Sequence, residues 1–254
     1  MSYIDIITTH WEIIVSFFAI AILYASVGFG GGSSYLAILA LTSLAFTEIR
    51  ATALICNIVV VSNSTILYYK NGFYNFKKVM PLVIASIPLA FLGGYLRIEE
   101  RIFFLLLGCS LLAAAILMLV RKKSITPENI KQSSFLKSIG FGGSIGFISG
   151  LVGIGGGIFL APLLHLAKWD NSKKIAATAS LFILVNSIAG LGGQLFNPSF
   201  TIAPTLTILL AVSTFIGGQI GTRIGIKLIS PENLKKATAV LILYVAFKII
   251  FKYL

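Results

Sequence analysis

The sequence predicts an all-α, polytopic membrane protein of about ten helical segments, arranged as two inverted-topology repeats of five. The helices are expected to be broken or re-entrant at two glycine-rich motifs. Three observations predict this. First, 57% of the residues are hydrophobic and 11% charged, and mean hydropathy is +0.97. A soluble domain carries roughly 25% charged residues, and a surface this apolar would aggregate in water. Second, the apolar runs have lengths that suit a bilayer, which needs about 20 mostly apolar residues per crossing helix. Third, Val27-Gly28-Phe29-Gly30-Gly31-Gly32 returns 125 positions later as Val152-Gly153-Ile154-Gly155-Gly156-Gly157.

Taken in order, the apolar segments run over 11–28, 33–46, 50–69, 78–97 and 101–120 in the first half. In the second half they run over 136–152, 157–168, 174–195, 202–229 and 232–253. The opening MSYIDIITTH has no Lys or Arg and leads to no small-x-small cleavage pattern, so it reads as a genuine first segment rather than a secretory signal. The second and seventh segments are too short to cross a membrane comfortably, and each directly follows a glycine break. When successive gaps alternate sides, 15 of the 20 Lys and Arg fall on one side and 5 on the other. That split follows the positive-inside tendency and places both chain ends outside the cytoplasm. It holds whether the short segments cross or re-enter. The same placement disposes of nucleic acid as a partner: the +12 net charge sits in gaps between spans, not along one helix face.

Further landmarks repeat in the same order. Phe91-Leu92-Gly93-Gly94 matches Phe215-Ile216-Gly217-Gly218, and Ala51-Thr52-Ala53 matches Ala177-Thr178-Ala179. A near-constant offset argues for duplication. The chain then divides into a first transmembrane repeat (1–120), a cytoplasmic linker (121–135) and a second transmembrane repeat (136–254). Five segments per half is an odd number, so two like halves must lie in the membrane with opposite orientation. Secondary transporters use that architecture, with substrate held near the midplane.

A helix broken in lipid survives only where protein or a wet cavity receives its backbone. The helix that restarts after the break presents unpaired N–H groups and a positive dipole end, which suits an anion. Glycine permits positive φ and close ligand approach. The candidate site residues are therefore Gly28, Gly30, Gly31 and Gly32 with Ser33 and Ser34, and Gly153, Gly155, Gly156 and Gly157. Thr52 and Asn57 in the third segment, and Thr178, Ser180 and Asn186 in the eighth, join them, because polar residues inside spans usually face an interior. Asn63, Gln194 and Gln219 are weaker candidates. Interhelical hydrogen bonding is the competing account of these polar residues, and close helix packing that of the glycines. For the ladders Gly142, Gly146, Gly150 and Gly217, Gly221, Gly225, packing is the preferred reading.

No carboxylate lies mid-span, which disfavours cation exchange and proton relays. Arg50 and Lys174, just before the third and eighth segments, stand where charges could draw anions to the two mouths, but the preferred reading is ordinary boundary charges. Cys56 and Cys109 are expected to be buried small hydrophobes. With His10 and His165 too isolated for a metal, no metal site, cofactor or catalytic constellation is expected.

The duplicated G-x-G-G-G, Pro162-Leu163 after its second copy, Ala177-Thr178-Ala179-Ser180 and the late Gly-Gly resemble the sulfite exporter TauE/SafE family, also called the toluene-sulfonate uptake permease family. The resemblance covers essentially the whole chain. It implies a polytopic inner-membrane permease moving sulfite, sulfoacetate, other organosulfonates or related anions, inward or outward depending on the member. The first half departs from the pattern at Tyr35-Leu36-Ala37, where the second has a proline nearby, and at Leu54, where the second has Ser180. The expected function is secondary transport of small sulfur-containing anions by alternating access; the alternative is a non-transporting membrane scaffold or subunit whose glycines only pack helices. The expected partners are a small anion and the lipid bilayer, with self-association allowed and the coupling ion unassigned.

Overall fold

The computed structural model describes residues 3–96, 98–120, 135–198, 200–227 and 231–254, all of whose regular elements are helices. The predicted linker lies outside them except for Phe135. The helices are α1 (Tyr3–Ser26), α2 (Gly32–Leu39), α3 (Phe46–Lys70), α4 (Phe76–Tyr95) and α5 (Glu100–Val120), then α6 (Phe135–Val152), α7 (Gly157–Leu166), α8 (Ser172–Leu195), α9 (Pro204–Lys227) and α10 (Pro231–Tyr253). Most bounds fall close to the predicted segments. The first differs: α1 begins at Tyr3 and carries a non-helical residue at His10 (φ −118°, ψ 18°). Among the described residues, six helices are long and apolar enough to cross a membrane, and α7 is a shorter apolar helix.

Outward-facing residues such as Trp11, Ile84, Phe141, Ile188 and Val212 are large, apolar and exposed. In water that pattern would be a liability; in a bilayer it is the lipid-facing surface. Cys56 is buried as expected, but Cys109 is exposed on α5. An apolar run predicts burial in either protein or lipid, and the protein leaves this thiol uncovered. Cations close the helix ends whose carbonyls lack partners. Lys173 Nζ donates to Ile226 O, Arg101 to the Tyr253 and Leu254 carbonyls, and Lys252 Nζ to Ala40 O just past α2.

Glycine ladders set helix directions. A Cβ added to Gly142, Gly146 or Gly150 of α6 would strike the backbone of Leu82, Ser86 or Ala90 of α4, in that order. These two helices therefore run parallel in close contact, which is the packing role expected of the ladder. Gly217, Gly221 and Gly225 of α9 meet Phe18, Ile22 and Ser26 of α1 in the same parallel sense. Helix α3 also runs parallel to α9, through Thr52 to Thr207 and Ser64 to Thr222. Against α8 it runs antiparallel, with Asn57 to Ser187 and, just beyond α3, Tyr74 to Ser180. Thus α1, α3 and α9 point one way and α6, α8 and α4 the other, so helices at matching places in the two halves are opposed. The pairings themselves are symmetric: α4 packs on α6 as α9 does on α1, α4 on α8 as α9 on α3, and α5 on α7 as α10 on α2.

Because α1 and α3 are parallel, the segment between them must return the chain to its starting face. The break over 27–31, the eight residues of α2 and the turn over 40–45 do so together. The segment's helical part is α2 alone; the break before it is a turn with left-handed glycines at Gly28 and Gly31.

Candidate functional site

Both breaks are built the same way. Helix α1 ends as Phe29 N donates to Tyr24 O (2.8 Å) and Gly28 N to Ala25 O (3.1 Å), with Gly28 at φ +84°. Helix α6 ends as Ile154 N donates to Ser149 O (3.2 Å) and Gly153 N to the same carbonyl (2.8 Å), with Gly153 at φ +72°. These are left-handed C-caps in which a bond spanning six residues closes the last turn. The following helices restart on Gly31 (φ +91°) and Gly156 (φ +79°), whose carbonyls accept from Ser34 and Tyr35, and from Phe159 and Leu160. Among the described residues, the amides of Gly31, Ser33, Gly157 and Ile158 find no partner within the protein. Those are the donors a broken helix is expected to present.

The two breaks meet at Asn57, which is fully buried halfway along α3. Its Oδ1 accepts from Gly32 N (3.3 Å), while its Nδ2 donates to Ile154 O (3.4 Å) and to Ser187 Oγ (2.9 Å). One carboxamide therefore touches both breaks and α8. The glycines are required by this closeness. A Cβ on Gly30 would lie 2.7 Å from Asn57 Cγ and nearer still to Oδ1, and one on Gly155 would lie 2.6 Å from both Asn57 Nδ2 and Ser187 Oγ. Gly157 is held against Ile183, which sits on α8 where Asn57 sits on α3. One half thus supplies an amide at the meeting point and the other a hydrocarbon.

The remaining candidates disperse. Ser34 Oγ and the Tyr24 hydroxyl lie 2.8 Å apart, and Ser33 is buried at the start of α2. Thr52 bonds Thr207 across α3 and α9 (2.8 Å). Thr178 Oγ1 donates to Lys174 O and Ser180 Oγ to Ala177 O within α8 (both 2.8 Å), and Ser180 also meets the Tyr74 hydroxyl at 3.2 Å. Burial raises the Tyr74 phenol above its ordinary range, so it stays protonated. Asn186 Nδ2 donates to Phe182 O of its own helix (2.8 Å), leaving its buried Oδ1 without a partner. Gly28 lies against Ala176, and Gly153 faces Arg50 and Gln194.

Two hydroxyls that the sequence reading missed lie beside the helix restarts. The Tyr35 hydroxyl is 2.9 Å from where a Gly31 Cβ would be, and Ser149 Oγ 3.1 Å from where a Gly156 Cβ would be; both are buried and unpartnered. Tyr35 follows Gly31 by four residues, one turn along α2, a spacing that could have flagged it. Ser149 precedes its glycine by a helix end and a turn, which no local pattern reveals. The charged groups separate to the two ends of the molecule. At one, Asp170 pairs with Lys78 (3.3 Å) and Lys174 (3.7 Å). At the other, Arg50 is buried with its guanidinium over the rings of Phe46 and Phe103, which contact each other edge to face. The meeting point itself is neutral and rich in N–H and O–H donors, an environment suited to an anion.

Known proteins place the chain among transporters. The profile of the family described as sulfite exporter TauE/SafE matches residues 13–249. A probable membrane transporter protein of Sinorhizobium fredii is 33% identical over 239 residues, covering 93% of this chain and 96% of that protein. A second probable membrane transporter protein, from Methanocaldococcus jannaschii, is 29% identical over 172 residues, 63% of each chain. No solved structure gives a significant match.

Proposed function

The chain belongs to the sulfite exporter TauE/SafE family and is a multi-pass membrane transporter, and from that premise we propose that it carries small sulfur-containing oxyanions by secondary transport. Sulfite, sulfoacetate and other organosulfonates are the substrate class. The single observation behind this reading is the convergence of two glycine breaks on Asn57, with unpartnered amides on both sides. Amides fixed in a dry interior bind an oxyanion without reorganising, so their attraction is stronger than in water.

Alternating access follows naturally from two breaks carried by oppositely directed halves. Loosening the contacts around one break opens a path to one face, and loosening those around the other opens the opposite face. The inner membrane is the proposed location, with both chain ends outside the cytoplasm. No acidic side chain meets Asn57 or the breaks among the described residues, so the reading invokes no carboxylate proton relay.

The test is flux into proteoliposomes. Gly31→Leu and Gly156→Leu each force a side chain onto a backbone with positive φ, against Tyr35 in one case and Phe182 in the other. Both variants should insert yet lose sulfite and sulfonate flux. Flux at the wild-type rate in both would remove the breaks from the transport path.

A further inference from the structure

The Arg50 end of the molecule holds a feature that the convergence at Asn57 does not use. Arg50 Nε and Gln194 Nε2 are buried and neither has a hydrogen-bond partner; each residue is only 5% exposed. They come from different halves, one turn inside α3 and at the last residues of α8, yet they border the same space. An added Cβ at Gly153 would lie 4.0 Å from Arg50 Nε, from Gln194 Nε2 and from Leu54 Cγ, and nearer to nothing else outside its own chain neighbours. A methyl at Gly153 would accordingly fit in contact with both donors without displacing either.

Packing does not account for them. Arg50 Nη2 donates to Leu151 O (3.2 Å) and the guanidinium rests on two rings, which explains part of the side chain. It does not explain a free Nε–H, or a free amide beside it, because a buried donor without an acceptor is destabilising. No carboxylate pairs with Arg50 among the described residues, whereas at the opposite end Asp170 is paired with both Lys78 and Lys174. A buried cation calls for a counter-charge, and the described residues supply none.

We propose that Arg50 and Gln194 form a second anion subsite, which receives a small oxyanion at the α3-starting end before it reaches Asn57. The proposal rests on the transport reading above. Arg50 Nε–H and Gln194 Nε2–H each donate to one oxygen of a trigonal or tetrahedral anion, a fit that charge-assisted bonds strengthen. The subsite exists in one half only, since α3 and α8 differ at these positions, so it gives the two faces of the carrier different affinities.

The experiment uses sulfite and sulfate on the full chain, by calorimetric binding in detergent and by flux in proteoliposomes. Gln194→Leu is the cleaner variant, because it removes a donor that bonds nothing in the protein. Its unliganded form should unfold at the wild-type temperature or higher, while its sulfite affinity and its KM on the Arg50 side worsen by at least about tenfold. Arg50→Gln should show the same loss, with KM at the opposite face little changed. If wild-type protein carries sulfite and both variants keep wild-type KM, the subsite is overturned and the transport reading stands. If wild-type protein binds sulfite but carries none, and binding is lost in both variants, the transport reading fails and the subsite stands. Wild-type protein that binds neither sulfite nor sulfate overturns both.

Discussion

Gly30→Ala should disable the protein through a single neighbour, Asn57. Gly30 does not need a left-handed backbone, so alanine is sterically acceptable there except for what its methyl meets. That is the Asn57 carboxamide, with Cγ at 2.7 Å and Oδ1 closer, followed by Val61 Cγ1 at 3.0 Å. The side chain must rotate away, and three hydrogen bonds go with it, at 2.9, 3.3 and 3.4 Å. A full-strength buried bond contributes about 0.5–1.5 kcal/mol net. Two of these are long, so roughly 2 kcal/mol is expected from the three together. Overpacking adds about 1–3 kcal/mol.

The assay is thermal unfolding of purified Gly30→Ala, Asn57→Ala and the double variant. Asn57→Ala already lacks the bonds and opens the space into which the methyl points. The double variant should therefore unfold with Asn57→Ala, giving a coupling of about 2 kcal/mol or more between positions 27 residues apart. All three should be deficient in flux. Additive losses in the double variant would refute the argument, because Gly30 would then act through something other than Asn57.

Two further outcomes follow from the same geometry. Gly150→Ala puts a methyl into the Ala90 backbone, which cannot move aside, whereas Gly140 has nothing within 4 Å of its Cβ position; recovery of folded protein should fall sharply for Gly150→Ala and stay normal for Gly140→Ala, as read by size-exclusion chromatography. A lipid-soluble maleimide should label exposed Cys109 in intact membranes and spare buried Cys56, which mass spectrometry of the two peptides decides; labelling of Cys56 alone would reverse the assigned faces of α3 and α5.

The sequence by itself determined the helical class, the near positions of ten segments and the place of both breaks. Those properties are local or periodic: twenty apolar residues demand a helix in lipid, and three consecutive glycines interrupt one wherever they stand. It also made Asn57 a candidate, because an amide inside a span needs a partner. Only the tertiary structure decided which partner. Asn57 and Asn186 are the buried amides of the corresponding spans α3 and α8, yet the residue opposite Asn57 across the breaks is Ile183, and Asn186 turns to its own helix. Thr52, Thr178 and Ser180 likewise serve helix contacts away from the meeting point. Helical periodicity fixes a side chain's direction around its own axis but not which neighbour lies there. For the same reason Lys174 and Arg50, alike in sequence as boundary charges, part company in three dimensions: one finds Asp170, and the other is buried with a donor to spare.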